Sequence, residues 1–366
     1  MRELDAVSRR KRRGRRKGLV ALTVVLAVFI ILTLLLTALY HSSPFHRAEQ
    51  MGGSNTQMTE SYKTPEKVKD KMMNILLCGV DYDSEAKGRS NRLSDVMMLC
   101  SYDIAHQKLN ILQLPRDTYV DDKYHTGGLN KMNGIYNQKD GGINGLIAAI
   151  NGNFALTVDH YVTVGMDDVR TIVDQLGGVE INLDKGFTTT KKTSGKTFVF
   201  KEGKQTLNGE QAQAFVRERG AFANADITRQ KNQKIFIAGL VDRLLASGLW
   251  DVLNLLPTLA KNVSTDFTIG EMLSLATTAK DLKKENIVFH SPPGHYLRYR
   301  TESGARQDVF GMNKQATADM LNEYFRPYSG AVPAEKLGII QITDKITIED
   351  PNKPLAGLSG EQTAGS

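Results

Sequence analysis

The chain has 366 residues, enough for one large domain or two smaller ones with a substantial hydrophobic core. Its formal charge of +7 comes from residues 1–17, where nine lysines and arginines face only Glu3 and Asp5. Removing that segment from the 47 basic and 40 acidic residues leaves 38 of each. The rest of the chain is therefore neutral, and the composition gives no argument for nucleic-acid binding.

An uncharged run over residues 18–40 follows the basic tail directly. At 1.5 Å per residue, a helix of this length spans a hydrocarbon layer of roughly 30 Å. A cleavable signal peptide is the alternative, but its apolar region is shorter and ends at a small-x-small site, which residues 41–50 do not offer. The basic residues on the amino-terminal side predict a single-pass anchor in the cell membrane, with a cytoplasmic tail at 1–17 and the remainder extracytoplasmic.

The remaining chain divides by composition into four segments. Residues 41–71 are polar and read as a stalk, and residues 346–366 are polar, rich in Gly and Pro, and predicted to be disordered. Between them we predict a catalytic core at 72–245 and an extension at 246–345 that packs on it.

Apolar alternation and helical spacing predict strands and helices that alternate along the core and the extension. Strands are predicted at 74–80, 96–102, 109–114, 158–164, 179–183 and 286–290, with a polar hairpin at 184–207. Helices are predicted from 207 to about 216 and at 143–154, 169–176, 227–245, 251–261, 269–282 and 313–325. This order predicts an α/β fold, in which helices cover both faces of a single central mixed β-sheet.

Two cysteines, Cys78 and Cys100, lie in apolar runs that resemble buried strands. Free cysteine in such a place behaves as a small hydrophobic residue. The sequence favours two buried thiols, although a disulfide outside the cell stays an open alternative.

The familiar catalytic motifs are missing from the sequence. It contains no GxxxxGK[ST] phosphate loop, no GxGxxG after a strand, no GxSxG elbow and no histidines at metal-ligand spacing. Carboxylates and arginines remain, and several follow or precede predicted strands. Asp81 and Asp95 could converge on a divalent cation there, although each alone is also a common turn or cap residue.

A second group of charges lies between residues 215 and 233. Arg217 and Arg219 share one side if their backbone is extended. If Asp226 caps a helix that starts at Ile227, Arg229 and Gln233 lie one turn apart on one face. Guanidinium groups bind phosphate oxygens in pairs, so the group predicts a phosphate site; a solvated charged surface is the alternative.

Eight motifs within residues 72–245 resemble those of the LytR–CpsA–Psr family, in the family's order and at about its spacing. They are residues 74–81 (NILLCGVD), 92–98 (RLSDVMM), 114–120 (LPRDTYV), 131–133 (KMN), 177–179 (GGV), 207–212 (LNGEQA), 215–219 (FVRER) and 226–233 (DITRQKNQ). The chain departs from the pattern at Leu93, where the family has an arginine, so Arg92 or Arg89 is expected to replace it. Asn232 also stands where the family commonly has arginine.

The resemblance implies a membrane-anchored phosphotransferase that joins polyprenyl-pyrophosphate-linked anionic glycopolymer to N-acetylmuramic acid of peptidoglycan and releases polyprenyl phosphate. The polymer would be wall teichoic acid, capsule or another secondary wall polysaccharide. The partners implied are this donor, peptidoglycan and the membrane, and no nucleic acid. The resemblance also implies an apolar slot for the lipid, for which residues 143–154 and 235–245 are candidates.

The resemblance further assigns a role to each site residue. Asp81 and Asp95 would hold Mg²⁺, with Mn²⁺ as the alternative ion. The pyrophosphate contacts would be Arg92, Arg116, Lys131, Arg217, Arg219, Arg229 and Gln233. Asp226, together with Arg217 and Arg219, would be catalytic, with the carboxylate of Asp226 near the attacking or leaving oxygen.

Three other functions stay open at this stage. The chain could be a pyrophosphatase that only hydrolyses the same donor, or a binding module without turnover. A membrane-bound regulator of envelope genes, acting as a transcriptional attenuator, is the third, although 17 cytoplasmic residues are too few for a helix-turn-helix domain.

Overall fold

The structure is a computed structural model that describes residues 68, 71–80, 93–138, 141–165, 168–190, 195–218, 225–247, 254–255, 258–259, 262–300 and 306–341. The predicted tails at 1–17 and 346–366, the predicted membrane anchor at 18–40 and nearly all of the predicted stalk lie outside these residues. Among the helices that are described, none has the length and apolar character needed to cross a bilayer.

The described residues form strands and helices that alternate along most of the chain. The strands are β1 (Met72–Val80), β2 (Ser94–Asp103), β3 (Lys108–Leu114), β4 (His160–Gly165), β5 (Val179–Leu183), β6 (Phe187–Thr190), β7 (Thr197–Phe200), β8 (Gly203–Leu207), β9 (Val263–Thr265), β10 (Ile287–His290), β11 (Gly294–Arg300) and β12 (Arg306–Met312). The helices are α1 (Met132–Ile135), α2 (Gly142–Phe154), α3 (Asp168–Gln175), α4 (Gly209–Arg217), α5 (Ala225–Leu245), α6 (Ile269–Thr278) and α7 (Lys314–Tyr324).

Six strands form the central sheet in the order β10-β3-β2-β1-β4-β9. The pairs β1–β4 and β3–β10 are parallel and the other three are antiparallel, which confirms a mixed sheet. Both edge strands, β9 and β10, come from the chain after residue 245. The segment predicted as an extension therefore completes the same sheet that the predicted core begins.

Hydrophobic clusters cover both faces of this sheet, as the alternation of side chains in its strands requires. On one face, Leu76 and Leu99 pack with helix α2 through Leu146 and with α7 through Leu321. On the other face, Met98 and its neighbours pack with α4 and α5. The predicted arrangement of helices on both sides of one sheet is thus confirmed.

Both cysteines are free thiols, and they face opposite sides of the sheet. Cys78 belongs to the cluster that contains α2, whereas Cys100 packs against the cluster that contains α4 and α5. Burial raises the pKa of both thiols, that of Cys100 to about 12, so both are protonated at neutral pH. The structure selects the prediction of two thiols over the alternative of a disulfide.

Two local predictions in the charged segment are wrong. Helix α5 begins at Ala225, so Asp226 lies in the first turn of the helix instead of capping it. Arg217 is the last residue of helix α4, and its backbone is not part of an extended segment. Strand β9, only three residues long, was not predicted, because so short a run shows no periodicity.

Helices α3 and α4 approach so closely that Gly209 touches the backbone of α3. A capping box between Asn208 and Gln211 starts α4. The backbone N–H of Gly209 then donates to Asp174 Oδ1 at 2.7 Å. A Cβ at this position would stand 2.2 Å from the carbonyl oxygen of Arg170.

Replacing Gly209 with alanine is therefore expected to lower the free energy of unfolding by about 3 kcal/mol, since a helix backbone cannot yield as a side chain can. Urea unfolding followed by circular dichroism would measure this loss. Gly270→Ala is the matched control, because Gly270 also lies in the first turn of a helix that starts with a capping box. A Cβ added to Gly270 would contact only Thr268 Oγ1, at 3.9 Å. That variant should gain up to about 1 kcal/mol, and equal losses in both would contradict the prediction.

Candidate active site

Asp95 occupies a β-bulge in the middle of the central sheet, at the end where β1 stops and β2 starts. Val80 on β1 pairs with Ser94 and Gly79 pairs with Val96, so Asp95 is the extra residue on β2. A bulge turns a side chain away from the regular alternation and is common beside active sites. The carboxylate of Asp95 is 12% exposed and points to the end of strand β3.

Arg116 follows β3 at this same end of the sheet, two residues after the strand stops at Leu114. Its Nη1 donates to Asp95 Oδ1 at 3.1 Å, and its Nε donates to Asp117 Oδ2 at 3.3 Å. The other oxygen of Asp117 lies 3.0 Å from Lys131 Nζ. One arginine therefore bridges two carboxylates, and a lysine closes that side of the site.

Arg229 reaches the other side of Asp95 from helix α5. Its side chain is only 3% exposed, and its Nη1 lies 3.9 Å from Asp95 Oδ2. This separation is too long for a hydrogen bond, so the pair attracts only through its charges. Burying a guanidinium group is costly unless opposite charge stabilises it.

These five side chains form a row in which positive and negative groups alternate, which we term the charge row. In order they are Lys131, Asp117, Arg116, Asp95 and Arg229. Three cations face two anions, so the row as a whole is positive. An arrangement with two guanidinium groups around one partly exposed edge is suited to binding a further anion.

Two amides of α5 fix the end of helix α4 beside the charge row. Asn232 Nδ2 donates to the carbonyl of Phe215, and Gln233 Nε2 donates to that of Val216. Gln233 Oε1 also accepts from Gln113 Nε2 of strand β3 at 3.0 Å. These bonds hold Arg217, which ends α4, against the helix that carries Arg229.

An apolar cavity of about 100 Å³ lies between the sheet and the helices of this face. Its walls come from β1, β2 and β4 and from helices α3, α4 and α5, including Phe236, Ile237 and Leu240. Three wall residues adjoin the charged groups: Val96 follows Asp95, Val216 precedes Arg217, and Gln233 lies one turn beyond Arg229. The cavity therefore borders the charged side chains of the site.

Of the two segments predicted to hold a lipid slot, residues 235–245 contribute to this cavity. Residues 143–154 form α2 and pack in the core on the opposite face. The side chains of α2, such as Leu146 and Ile150, are fully buried in that core. Helical spacing alone could not separate these two cases, since both produce an apolar stripe.

The structure brings four of the predicted site residues into the charge row: Asp95, Arg116, Lys131 and Arg229. It places Arg217 and Gln233 beside the row, and both functional ends of the Gln233 amide bind within the protein. Asp81, Arg92 and Arg219 lie outside the described residues, as do Arg89 and the side chain of Asp226. The ligand contacts assigned to these residues stay predictions.

Sequence reasoning missed the contributions of Asp117 and Gln113. Asp117 binds both Arg116 and Lys131, and Gln113 joins β3 to α5. The signal for Asp117 was present, since an acid directly after an arginine at a strand end suggests a local pair. Gln113 gave no signal, because its partner is 120 residues away.

The described residues contain no group of three His, Cys, Asp or Glu side chains able to hold a metal ion. Of the two predicted ligands, only Asp95 is described. Mg²⁺ in proteins needs only one or two carboxylates when substrate phosphates complete its coordination. The chemistry of Asp95, a carboxylate at a strand end, fits that limited donor set.

Fold and site together define a class: mixed-sheet α/β proteins in which an arginine-rich cluster at one end of the sheet adjoins an apolar cavity. Within that class, the chain belongs to the LytR_cpsA_psr family, whose sequence model matches residues 40–326. The resemblance drawn from eight motifs is thereby confirmed.

Several similar proteins have names that state what they do. The chain is 29% identical to the polyisoprenyl-teichoic acid–peptidoglycan teichoic acid transferase TagV of Bacillus subtilis, over 57% of this chain and 53% of TagV. It is 30% identical to the cell wall biosynthesis protein LcpA of Corynebacterium glutamicum, over 61% of this chain and 50% of LcpA. The match thus spans about half the length of these two relatives. For the transferase TagU of Bacillus anthracis, 29% identity covers 66% of this chain and 78% of TagU.

Solved structures share the fold. Crystalline TagV of B. subtilis has a TM-score of 0.59 at 24% identity, covering 74% of this chain and 98% of that one. A structure of TagT bound to LIIa-WTA has a TM-score of 0.58 at 20% identity, covering 79% and 99%. At these identities the likeness concerns the fold alone.

Proposed function

We propose that this protein transfers an anionic cell-wall glycopolymer from a polyprenyl-pyrophosphate carrier to N-acetylmuramic acid of peptidoglycan. The observation that carries the proposal is the adjacency of the positive charge row and the apolar cavity. A ligand that fits both is an amphiphile with an anionic head and a hydrocarbon chain. Polyprenyl pyrophosphate has that form, and the names of the relatives TagV and TagU describe transferases of polyisoprenyl-linked teichoic acid.

In the proposed reaction, a hydroxyl oxygen of the acceptor sugar attacks the phosphorus that carries the polymer. The bond from that phosphorus to the bridging pyrophosphate oxygen breaks, and polyprenyl phosphate leaves. Arg116 and Arg229 would stabilise the charge on the phosphoryl oxygens, the main source of rate in phosphoryl transfer. Asp226 is proposed to receive the proton of the attacking hydroxyl.

A divalent cation completes the proposed site. Asp95 and Asp81 would hold Mg²⁺, which when bound neutralises charge on the pyrophosphate. Lys131, Arg92, Arg217, Arg219 and Gln233 are proposed to orient the pyrophosphate. Residues 18–40 are proposed to anchor the chain, with the catalytic part on the outer side of the cell membrane.

The test uses the full chain in detergent micelles, a labelled polyprenyl-pyrophosphate-linked glycopolymer and purified peptidoglycan. Covalent attachment of label to peptidoglycan is expected. Changing Asp95 to asparagine should lower the rate by roughly 10²-fold, since the charge between Arg116 and Arg229 is lost. Asp308→Asn, which removes a carboxylate from an exposed ion pair with Arg298, is the control and should leave the rate within about two-fold.

The same assay separates the alternatives. Release of polyprenyl phosphate without a peptidoglycan product would make the protein a pyrophosphatase. Tight donor binding without turnover would make it a binding module. Undiminished transfer by Asp95→Asn would remove the charge row from the mechanism.

A further inference from the structure

A buried amide close to the charge row carries an oxygen to which no described residue donates. Gln113 lies on β3, three residues before Arg116, and its side chain is buried. Its Nε2 donates to two acceptors of helix α5, whereas its Oε1 has no hydrogen-bond partner among the described residues. Buried polar atoms are nearly always hydrogen-bonded, so the orientation of this amide requires an explanation.

The main chain of α5 determines that orientation. The carbonyl oxygen of Gln230 lies 3.3 Å from Gln113 Nε2, and a carbonyl oxygen can only accept a hydrogen bond. If the amide of Gln113 were turned over, two oxygens would meet and repel each other. Gln113 therefore keeps its NH2 group against α5, although its own oxygen gains no donor from the described residues.

The orientation of Gln113 in turn determines that of Gln233. Gln113 Nε2 donates to Gln233 Oε1 at 3.0 Å, so the oxygen of Gln233 faces β3. The NH2 group of Gln233 lies on the other side of its amide, where one hydrogen is donated to the carbonyl of Val216 over 3.5 Å. An amide nitrogen has two hydrogens, and no described residue accepts the second one.

Gln233 is a polar side chain in the wall of the apolar cavity, where the other wall residues are hydrophobic, glycine or cysteine. It lies one turn beyond Arg229, whose Nη1 is 3.9 Å from Asp95 Oδ2. Gln233 therefore stands between the cavity and the charge row, where the pyrophosphate of the proposed donor joins its lipid. At that junction an N–H group binds a phosphate oxygen, whereas an amide oxygen repels it.

We propose that Gln113 is a positioning residue that presents the N–H group of Gln233, and not its oxygen, to the phosphate that carries the lipid. This inference rests on the proposed function, and it adds a residue that does not itself touch the donor. The carbonyl of Gln230 orients Gln113, and Gln113 orients Gln233. An amide needs such an arrangement because it offers either an acceptor or a donor according to its rotation, whereas arginine and lysine offer only donors.

The first test measures transfer kinetics of the full chain in detergent micelles with the polyprenyl-pyrophosphate-linked donor. Gln113→Met fills a similar volume but no longer orients Gln233, whose oxygen can then face the phosphate. KM for the donor is expected to rise about ten-fold, since a hydrogen bond to a charged phosphate oxygen is lost. The kcat should stay within about two-fold, because the same bond is lost from the ground state and the transition state.

A double-mutant cycle distinguishes positioning through Gln233 from a separate role of Gln113. Gln233→Leu is expected to raise KM by at least as much as Gln113→Met. In the Gln233→Leu background, Gln113→Met should change KM by less than about two-fold, because no amide remains to be oriented. Additive increases in KM would overturn the proposal. Gln113→Leu removes the same amide with a smaller side chain and replaces Gln113→Met in this cycle if the methionine variant folds poorly.

Asn110→Leu is the matched control for a loss of stability. Asn110 is a second buried amide of β3, whose Nδ2 donates to the carbonyl of Tyr324 at 2.9 Å and whose Oδ1 lies 3.0 Å from His290 Nε2. Asn110→Leu and Gln113→Met should both unfold at a lower temperature than the wild type, but Asn110→Leu should leave KM within about two-fold. An equal rise of KM in Asn110→Leu would show that a loosened strand causes the effect, and the proposal would be wrong.

Binding of farnesyl pyrophosphate keeps this proposal distinct from the proposed function. Calorimetry with this short prenyl pyrophosphate requires no transfer, and it is expected to show about ten-fold weaker binding by Gln113→Met and no change by Asn110→Leu. If the wild type transfers no polymer but this difference is found, the proposed function fails and the orientation of Gln233 by Gln113 stands. If Gln113→Met binds as tightly as the wild type, the proposal is wrong, whatever the transfer assay shows.

Discussion

Replacing Arg229 with methionine is expected to lower the transfer rate by roughly 10²–10³-fold. The large effect on rate follows from the position of the guanidinium group in the charge row, 3.9 Å from Asp95 Oδ2, while Gln233, one turn further along α5, lines the apolar cavity. A buried donor that is already in place needs no reorganisation when charge develops on a phosphoryl oxygen.

A loss of catalysis has to be separated from a loss of folded structure. Arg229 is 3% exposed and lies 3.9 Å from Asp95 Oδ2, and removing one member of a buried ion pair usually destabilises a protein. Asp95 keeps its hydrogen bond to Arg116 Nη1 in the variant, so the protein is expected to stay folded with a lower unfolding temperature. A purely structural arginine would show the loss of stability with no loss of rate in the molecules that remain folded.

Single-turnover transfer and thermal unfolding, measured on the same preparations, separate these two results. Arg229→Lys keeps the charge but loses the forked donor and should recover only part of the rate. Lys231→Met is the matched control, because Lys231 lies on the same helix in an exposed pair with Asp184. A similar loss of rate in Lys231→Met, or a full rate in Arg229→Met, would show that Arg229 is not part of the transfer machinery.

The parts of the fold that were predicted correctly are those that local patterns determine. Strand β5 has the predicted bounds, Val179–Leu183, because its alternation runs between Gly178 and a polar hairpin. Asp95 stands at the start of one predicted strand and Arg116 follows the next one, and their side chains meet at 3.1 Å. In each case the sequence contains both the element and its boundary.

The parts that could not be predicted depend on partners that are distant in sequence. The bulge that displaces Asp95 exists only because β1 and β2 change register between Gly79 and Val80. The amide contact between Gln113 and Gln233 depends on how α5 lies across the sheet. Neither feature changes the periodicity of apolar residues, so neither can be recognised from the sequence.

Filling the apolar cavity should distinguish the contribution of the lipid to donor binding from the contribution of the head group. Val169, half-buried on helix α3, is one of the wall residues, and tryptophan at this position would occupy much of a cavity of about 100 Å³. We expect Val169→Trp to raise KM for a donor with a full polyprenyl chain by about 100-fold. Each buried CH₂ contributes about 0.8 kcal/mol, so displacing four or more already accounts for such a loss. A donor with a lipid of only a few carbons should change by less than about three-fold.

Leu240→Phe fills the same cavity from helix α5 and protects the test against a poorly folded tryptophan variant. Leu244→Trp, one turn further on that helix and 36% exposed, adds the same bulk outside the cavity and should leave both donors unaffected. The temperature of thermal unfolding should stay the same or rise in the cavity-filling variants, because new apolar contacts replace empty space. If long and short donors lose affinity equally, the cavity is a packing defect, and the prenyl chain must lie along another surface of the protein.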